Sequence, residues 1–217
     1  MADLAAIVGG YVRGEHAGGL EMSDVTHDSR QAGTGCLFVA IQGERFDGHD
    51  FVDDVVAKGA PAVCVTHSVT HEVPELVVPD TRRALGPLAS AVHGDPSGDM
   101  AVVGVTGTNG KTTVAHYVAS VASHSGVKAG LMGTIHTRLE GEAIEAVRTT
   151  PEASDFQRVL AEMRDKGAGL VAVEVSSHGL TLERVRATRF AVAAFTNLSQ
   201  DHLDFHGDMA AYLAAKK

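Results

Sequence analysis

The apolar positions of this chain come in short unbroken runs, set between polar turns rich in glycine. Residues 36–41, 62–65, 76–78, 100–104, 169–174 and 190–195 each place several apolar side chains in succession, without strict alternation. A strand covered on both faces needs that pattern, as in a parallel sheet under helices. Residues 25–30 read as a strand edge ending in turn formers, residues 128–132 as a further strand, and residues 134–139 and 143–148 as a hairpin. Between the strands the spacing becomes helical. Residues 51–58 carry Phe51, Val52, Val55 and Val56 at that spacing, with Asp50 placed as the cap and Gly59 past the end. Asp80 opens a helix over residues 81–93. Residues 3–8 form a short helix closed by Gly9 and Gly10, and residues 114–122 have the mixed periodicity of a buried one. A helix to about residue 166 follows Thr149-Thr150-Pro151-Glu152, with Pro151 in its first turn, and a last helix begins near Asp208.

This alternation predicts an α/β chain. Gly94-Asp-Pro96-Ser-Gly98-Asp is its best linker. The expectation is a small α/β domain over residues 1–97 and a mostly parallel-sheet domain over residues 98–217.

Composition narrows the function by exclusion. With 217 residues, 44% apolar and 21% charged, the chain has the make-up of a globular protein. A formal charge of −9 argues against a broad face for nucleic acid, though not against a local phosphate pocket. No apolar run has membrane-spanning length, and the first ten residues lack the basic and apolar regions of a signal peptide. No membrane partner and a cytoplasmic location are expected. Cys36 and Cys64 sit in apolar runs and read as small core residues.

The chemistry starts at Gly104-Val-Thr-Gly107-Thr-Asn-Gly110-Lys111-Thr112-Thr113. Strand, glycine-rich turn, Gly-Lys-Thr and helix is the context of a phosphate-binding loop: backbone N–H groups crowd around phosphate oxygens and the helix start adds its dipole. Lys111 would reach the outer phosphates and Thr112 would hold Mg²⁺. The strict spacing wants glycine where Val105 stands, and an ordinary strand-to-helix turn is the alternative. Glu174 ends a buried strand, the edge where open α/β sheets bind ligands, and an acidic residue there is the usual second anchor of Mg²⁺. Residues 176–180 read on their own as a polar loop. In residues 197–207, Asp201, His202, Asp204 and His206 could bind a metal or move protons, and imidazole suits Mn²⁺ or Zn²⁺ better than Mg²⁺. Lys216 and Lys217 read as a solvated helix end.

Taken together, Thr106-Gly-Thr-Asn-Gly-Lys-Thr-Thr113, Thr149-Thr-Pro151, Glu174-Val-Ser-Ser-His-Gly-Leu180 and Thr196-Asn-Leu-Ser-Gln-Asp-His-Leu-Asp-Phe-His-Gly207 resemble the Mur ligases. Asp28-Ser29-Arg30 and Gly43-x-x-x-Asp-Gly-His49 are similar to the family's uridine-binding domain. Glu174–Leu180 and Thr196–Gly207 resemble the branch that adds the third residue of the peptidoglycan stem peptide.

The resemblance implies a UDP-binding domain followed by the first part of a P-loop ATPase domain. It implies an ATP-dependent amide ligase: ATP phosphorylates the carboxylate of UDP-N-acetylmuramoyl-L-alanyl-D-glutamate, and the amine of an amino acid, diaminopimelate or lysine, attacks the acyl phosphate. On that basis Gly107, Thr108, Asn109, Gly110, Lys111, Thr112 and Thr113 hold ATP, and Thr112 and Glu174 hold one Mg²⁺. His202 holds a second Mg²⁺, joined by Lys216 as a carbamate, in the pattern Tyr212-Leu-Ala-Ala-Lys216. Ser29, Glu44, Arg45 and Phe46 contact the uridine end; Thr149, Thr150, Ser176 and Arg184 contact the muramoyl-dipeptide. Lys111, Glu174, His202 and Lys216 are the catalytic set, in a monomer. Family members are much longer, so the chain is expected to be an inactive fragment, with Lys216 in a fraying last turn. Two rivals remain: a folylpolyglutamate-synthase-like ligase and a non-catalytic nucleotide-binding remnant.

Overall fold

A computed structural model describes residues 1–14, 19–43, 45–69, 72–134, 136–139, 142–145 and 149–217. Among these residues the chain forms two compact units, Met1–Gly94 with Ala153–Arg158, and Asp95–Glu152 with Val159–Lys217.

In the first unit the order is α1 (Ala2–Val8), β1 (Tyr11–Arg13), β2 (Asp24–Thr26), β3 (Cys36–Val39), a 3-10 turn (Gly48–Phe51), α2 (Val52–Ala57), β4 (Ala62–Val65), β5 (Glu75–Val77) and α3 (Thr81–Val92). The sheet runs β1-β5-β4-β3-β2, parallel except for β1, which pairs antiparallel to β5. The interior strand β3 is buried throughout, and the pleat sends its side chains to two cores. Leu37 and Val39 pack with Ala5, Leu85 and Leu88 of α1 and α3. Phe38 packs with Val52 and Val55 of α2. A run apolar at every position is therefore required, because neither face meets water.

The ends of these elements correct the sequence reading in places. Helix α3 starts as expected, with the Asp80 side chain accepting from Arg83 N–H. The expected cap Asp50 instead lies inside the 3-10 turn, and Asp47 does the capping by accepting from His49 N–H at 3.0 Å. Strand β1 was not anticipated, since Tyr11-Val-Arg has no apolar run and is fixed by pairing with Val77. Cys36 and Cys64 are buried and free, as core residues. Burial pushes their thiols up to about 11 and about 12.

The second unit holds a 3-10 turn (Pro96–Gly98), β6 (Ala101–Thr106), α4 (Lys111–His124), β7 (Ala129–Met132), β8 (His136–Leu139), β9 (Glu142–Glu145), most of α5 (Ala153–Asp165), β10 (Leu170–Glu174), α6 (Ser177–Thr181), β11 (Phe190–Phe195), α7 (Leu203–His206) and α8 (Met209–Lys216). Its sheet runs β11-β6-β10-β7-β8-β9, with the first four strands parallel. Val105, Leu131 and Ala172 bury one face under Ala115 of α4. Strand β11 is an edge, with Val192 and Phe195 about half exposed. Pro151 was expected inside the first turn of α5 but precedes it, with Glu152 at the cap position. The segment read as a polar loop after Glu174 is helical, because Ser176 caps α6 by accepting from Gly179 N–H. The described part of the expected hairpin is β8 and β9; residues 140, 141 and 146–148 lie outside the described residues. No helix among the described residues is long and apolar enough to cross a membrane.

The register decides where the chemistry falls. Glu174 pairs with Val105 and Phe195 with Thr106, so β6, β10 and β11 end on one edge. The chain leaves β6 for β7 on one side and later returns to β11 on the other. That makes the end of β6 a switch point, where such sheets bind ligands.

Candidate functional site

At the end of β6 the backbone turns through Gly107 (φ 138°) and Gly110 (φ 85°) before α4 begins at Lys111. Both dihedrals favour glycine. At Gly107 a side chain would also overlap the Thr196 hydroxyl. Lys111 Nζ folds back over the turn and donates to the carbonyls of Gly107 and Thr108 at 3.0 and 2.9 Å.

The turn is braced from the segment following β11. Thr108 N–H donates to Asn197 O at 2.9 Å and Asn109 N–H to Asn197 Oδ1 at 3.1 Å. Asn197 Nδ2 and the Thr196 hydroxyl both donate to Asn109 O. The Thr108 hydroxyl donates to Ser199 O and accepts from Ser199 N–H. Residues 196–199 precede the aspartates and histidines of this run, and the sequence reading assigned them no contact with the turn. They hold the glycine-rich turn in one shape, and periodicity carries no signal for such bonds.

Beside the first turn of α4, the Thr112 hydroxyl donates to Glu174 Oε2 at 2.8 Å. Glu174 is 1% exposed. Thr134 supplies it with two more donors, its N–H to Oε1 and its hydroxyl to Oε2, both at 2.9 Å. Three bonds are what a buried carboxylate needs. Thr134, which follows β7 on the same edge, was missed by the sequence reading; its place just past a parallel strand was the available hint. Thr149 Oγ1 lies 3.2 Å from the Thr134 hydroxyl. Thr150 donates its hydroxyl to Glu174 O and accepts from Ser176 N–H, each at 3.0 Å. Arg184, 7% exposed, pairs with Glu152 at 2.6 Å and donates to Thr150 O at 3.1 Å. Thr149, Thr150, Ser176, Arg184 and Glu174 thus form one connected group.

The histidines fall elsewhere. His178 packs against His202 (ring centroids 4.7 Å), Phe205 (4.1 Å) and His206 (5.8 Å), and His206 against Tyr212 (5.1 Å). Burial, then His202 and His206, holds the His178 imidazole below its ordinary pKa. Burial, then His202 and Lys216, does the same at His206. His202 has a left-handed backbone (φ 50°) and lies 3.4 Å from Asp201.

The reading of Lys216 as a solvated helix end is overturned: it is 8% exposed, and its Nζ donates to Gly107 O at 3.1 Å. Helix α8 docks on the glycine-rich turn, which draws the lysine inward. Burial, and secondarily the Lys111 charge, lowers its pKa to about 8.

A test of fit for magnesium gives two answers. Thr112 and Glu174 offer a neutral and an anionic oxygen side by side, the hard donors Mg²⁺ prefers. For a second ion the residues as they stand do not fit. Among the described residues no three His, Cys, Asp or Glu side chains gather to hold a metal, and an ammonium at Lys216 repels a cation.

In the first unit, Asp28 accepts from Arg30 N–H and from its guanidinium, which leaves Ser29 at the tip of a tight turn. Lys58 Nζ donates to Ser29 O at 2.8 Å. The Arg30 guanidinium holds the Asp28 carboxyl at about 2. Arg45 and Phe46 are exposed in the turn closed by the Gln42–Asp47 bridge, Phe46 at 71%. Glu44 lies outside the described residues. His49 Nε2 lies 3.0 Å from Thr66 N–H and must accept from it, so Nδ1 carries the proton shared with Asp47 Oδ1 at 2.6 Å.

Residues 105–217 match the Mur ligase middle domain, and residues 21–93 match the domain described as Mur ligase family, catalytic domain. The chain is 43% identical over 201 residues to UDP-N-acetylmuramoyl-L-alanyl-D-glutamate--2,6-diaminopimelate ligase of Geobacillus kaustophilus, covering 93% of this chain and 41% of the relative. A solved structure with that same ligase name superposes with a TM-score of 0.78 at 30% identity, covering 90% of this chain and 40% of the other. MurF from Acinetobacter baumannii superposes at 0.72 with 27% identity, over 99% of this chain and 44% of its own. The chain spans about two fifths of the length of the curated relatives it matches.

Proposed function

The chain belongs to the Mur ligase family, and from that premise we propose that it carries the uridine-binding and ATP-binding parts of a ligase that lengthens UDP-N-acetylmuramoyl-L-alanyl-D-glutamate by one amino acid. The amino acid named in its relatives is 2,6-diaminopimelate. The domains are residues 1–97 and residues 98–217. The observation that carries the proposal is the meeting of Lys111, Thr112 and Glu174 at the switch point, on a turn whose backbone is held in one shape.

In this reading the N–H groups of residues 107–113 and Lys111 bind the ATP phosphates. The γ-phosphoryl moves to the substrate carboxylate, and Thr112 and Glu174 would hold a Mg²⁺ whose charge would offset that of the phosphates. ADP departs and an acyl phosphate remains; the incoming amine adds to its carbonyl carbon, loses a proton and expels phosphate. Thr134 keeps Glu174 oriented. Thr149, Thr150 and Ser176 line the neighbouring edge for the muramoyl-dipeptide, with Arg184 fixing Thr150 through its carbonyl. Ser29, Glu44, Arg45 and Phe46 receive the uridine. His202 and Lys216 would hold a second Mg²⁺ only with Lys216 as a carbamate, which would replace a cation with an oxygen donor. A pKa of about 8 favours the neutral amine this requires. The protein acts as a cytoplasmic monomer.

The test is calorimetry of MgATP binding. Lys111→Ala should abolish it without lowering the melting temperature, a loss on the order of several kcal/mol for a preorganised phosphate contact. Unchanged affinity removes the assignment.

A further inference from the structure

Among the described residues Tyr212 is the largest fully buried side chain, at 1% exposure, and no step of the proposed reaction uses it. Its hydroxyl lies 3.0 Å from Thr108 Oγ1, in the middle of the glycine-rich turn. The direction of that bond follows from counting. Thr108 has one hydroxyl proton, which goes to Ser199 O, and one lone pair already receives Ser199 N–H. The remaining capacity is an acceptor, so Tyr212 is the donor. The same ring has Lys216 Nζ 4.8 Å above its centroid. Lys216 in turn reaches Gly107 O, the carbonyl that Lys111 also uses. One side chain therefore touches both the centre of the turn and the lysine at the end of α8.

We propose that Tyr212 is a positioning residue for nucleotide binding: its O–H sets Thr108, and its face sets Lys216, so that the docking of α8 fixes the shape of the phosphate loop. The inference rests on reading the turn as a nucleotide site and adds a residue to that site. Two considerations separate this role from simple core filling. A phenylalanine fills the same volume, so the ring accounts for packing and the hydroxyl only for Thr108. A hydroxyl buried without a partner is also costly, which ties Tyr212 to this acceptor.

The test compares the wild-type chain with Tyr212→Phe, Thr108→Val and Thr108→Ser. MgATP affinity is read by calorimetry, and amide hydrogen exchange is read without nucleotide. Tyr212→Phe should keep the melting temperature, weaken MgATP binding about 3- to 10-fold, and speed exchange at the Thr108 and Asn109 amides while Val102–Val105 of β6 stay protected. Thr108→Val, which also gives up both bonds to Ser199, should show both effects at least as strongly, gain little more from Tyr212→Phe, and be rescued by Thr108→Ser, which keeps the hydroxyl. If the wild type binds MgATP and Tyr212→Phe binds equally well with no faster exchange at Thr108 and Asn109, the positioning role is refuted and the nucleotide site stands. If the wild type binds no MgATP, the nucleotide reading and the function assigned to Tyr212 fall together. Faster exchange spread evenly over β6 and the turn would mark loosened packing and also overturn the proposal.

Discussion

Lys216→Met should flatten a pH dependence that the wild-type chain owes to one amine. Burial and the Lys111 charge place the Lys216 pKa at about 8, against 10.5 for the free side chain. The difference corresponds to about 3 kcal/mol at 1.36 kcal/mol per unit, and solvent screening at the helix end reduces it to roughly half that. The sign is fixed by proton counting. Between pH 8 and 10.5 the unfolded chain holds the proton and the folded chain has released it, so stability rises with pH across that window. Below pH 8 both states are protonated and the full cost of the buried cation is present. The methionine variant loses the bonds to Gly107 O and Thr106 Oγ1, a constant offset with pH. Urea unfolding of both proteins, followed by far-ultraviolet circular dichroism in carbon-dioxide-free buffers, gives the stability difference. Wild type minus variant should rise by about 1–2 kcal/mol from pH 8 to 10.5 and stay level from pH 6 to 7.5. Parallel profiles would refute the buried-amine argument, and a difference that shrinks with pH would reverse its sign.

Other substitutions test separate parts of the structure. Gly133→Ala puts a methyl group into Glu174 Oε1, and the displaced carboxylate should weaken MgATP binding about 10- to 100-fold; unchanged calorimetry would remove Glu174 from the site. Gly107→Ala combines a left-handed dihedral with overlap on Thr196, so thermal melting should show a loss of about 1–3 kcal/mol; a melting curve like that of wild type would mean the brace is not rigid. Asp80→Ala removes the acceptor of Arg83 N–H at 2.9 Å and should cost about 1 kcal/mol in urea unfolding, with no effect on nucleotide affinity.

Strands legible in the sequence were those whose apolar runs have no alternative use. Residues 62–65 and 190–195 were placed to the residue, since a short continuous apolar run between turns fits little else. That Thr112 would meet Glu174 was legible for a different reason: a glycine-rich strand-to-helix turn and the end of a buried parallel strand share one edge of the sheet. What escaped was set by distant partners. Strand β1 exists through Val77, the capping duty passed from Asp50 to Asp47 because a 3-10 turn precedes α2, and Lys216 is buried by a turn over a hundred residues upstream. Thr134 and Tyr212 carry no motif of their own; each is identified only by the atom it meets.

The bracing of the glycine-rich turn also sets a timetable for biosynthesis. Thr108 and Tyr212 are 104 residues apart, and β6 lies between β10 and β11, both made after it. At about 5–20 residues per second, the ribosome needs roughly 5–20 s to travel from one partner to the other. For most of that interval the turn has its glycines and its lysine but lacks Asn197 and Ser199, and Tyr212 comes last. The first unit's strands, all present by Val77, can pair much earlier. Under the proposed function, nucleotide is thus unavailable as a folding ligand for the nascent second unit, because β6 waits for its last neighbour before the turn acquires a shape to be recognised.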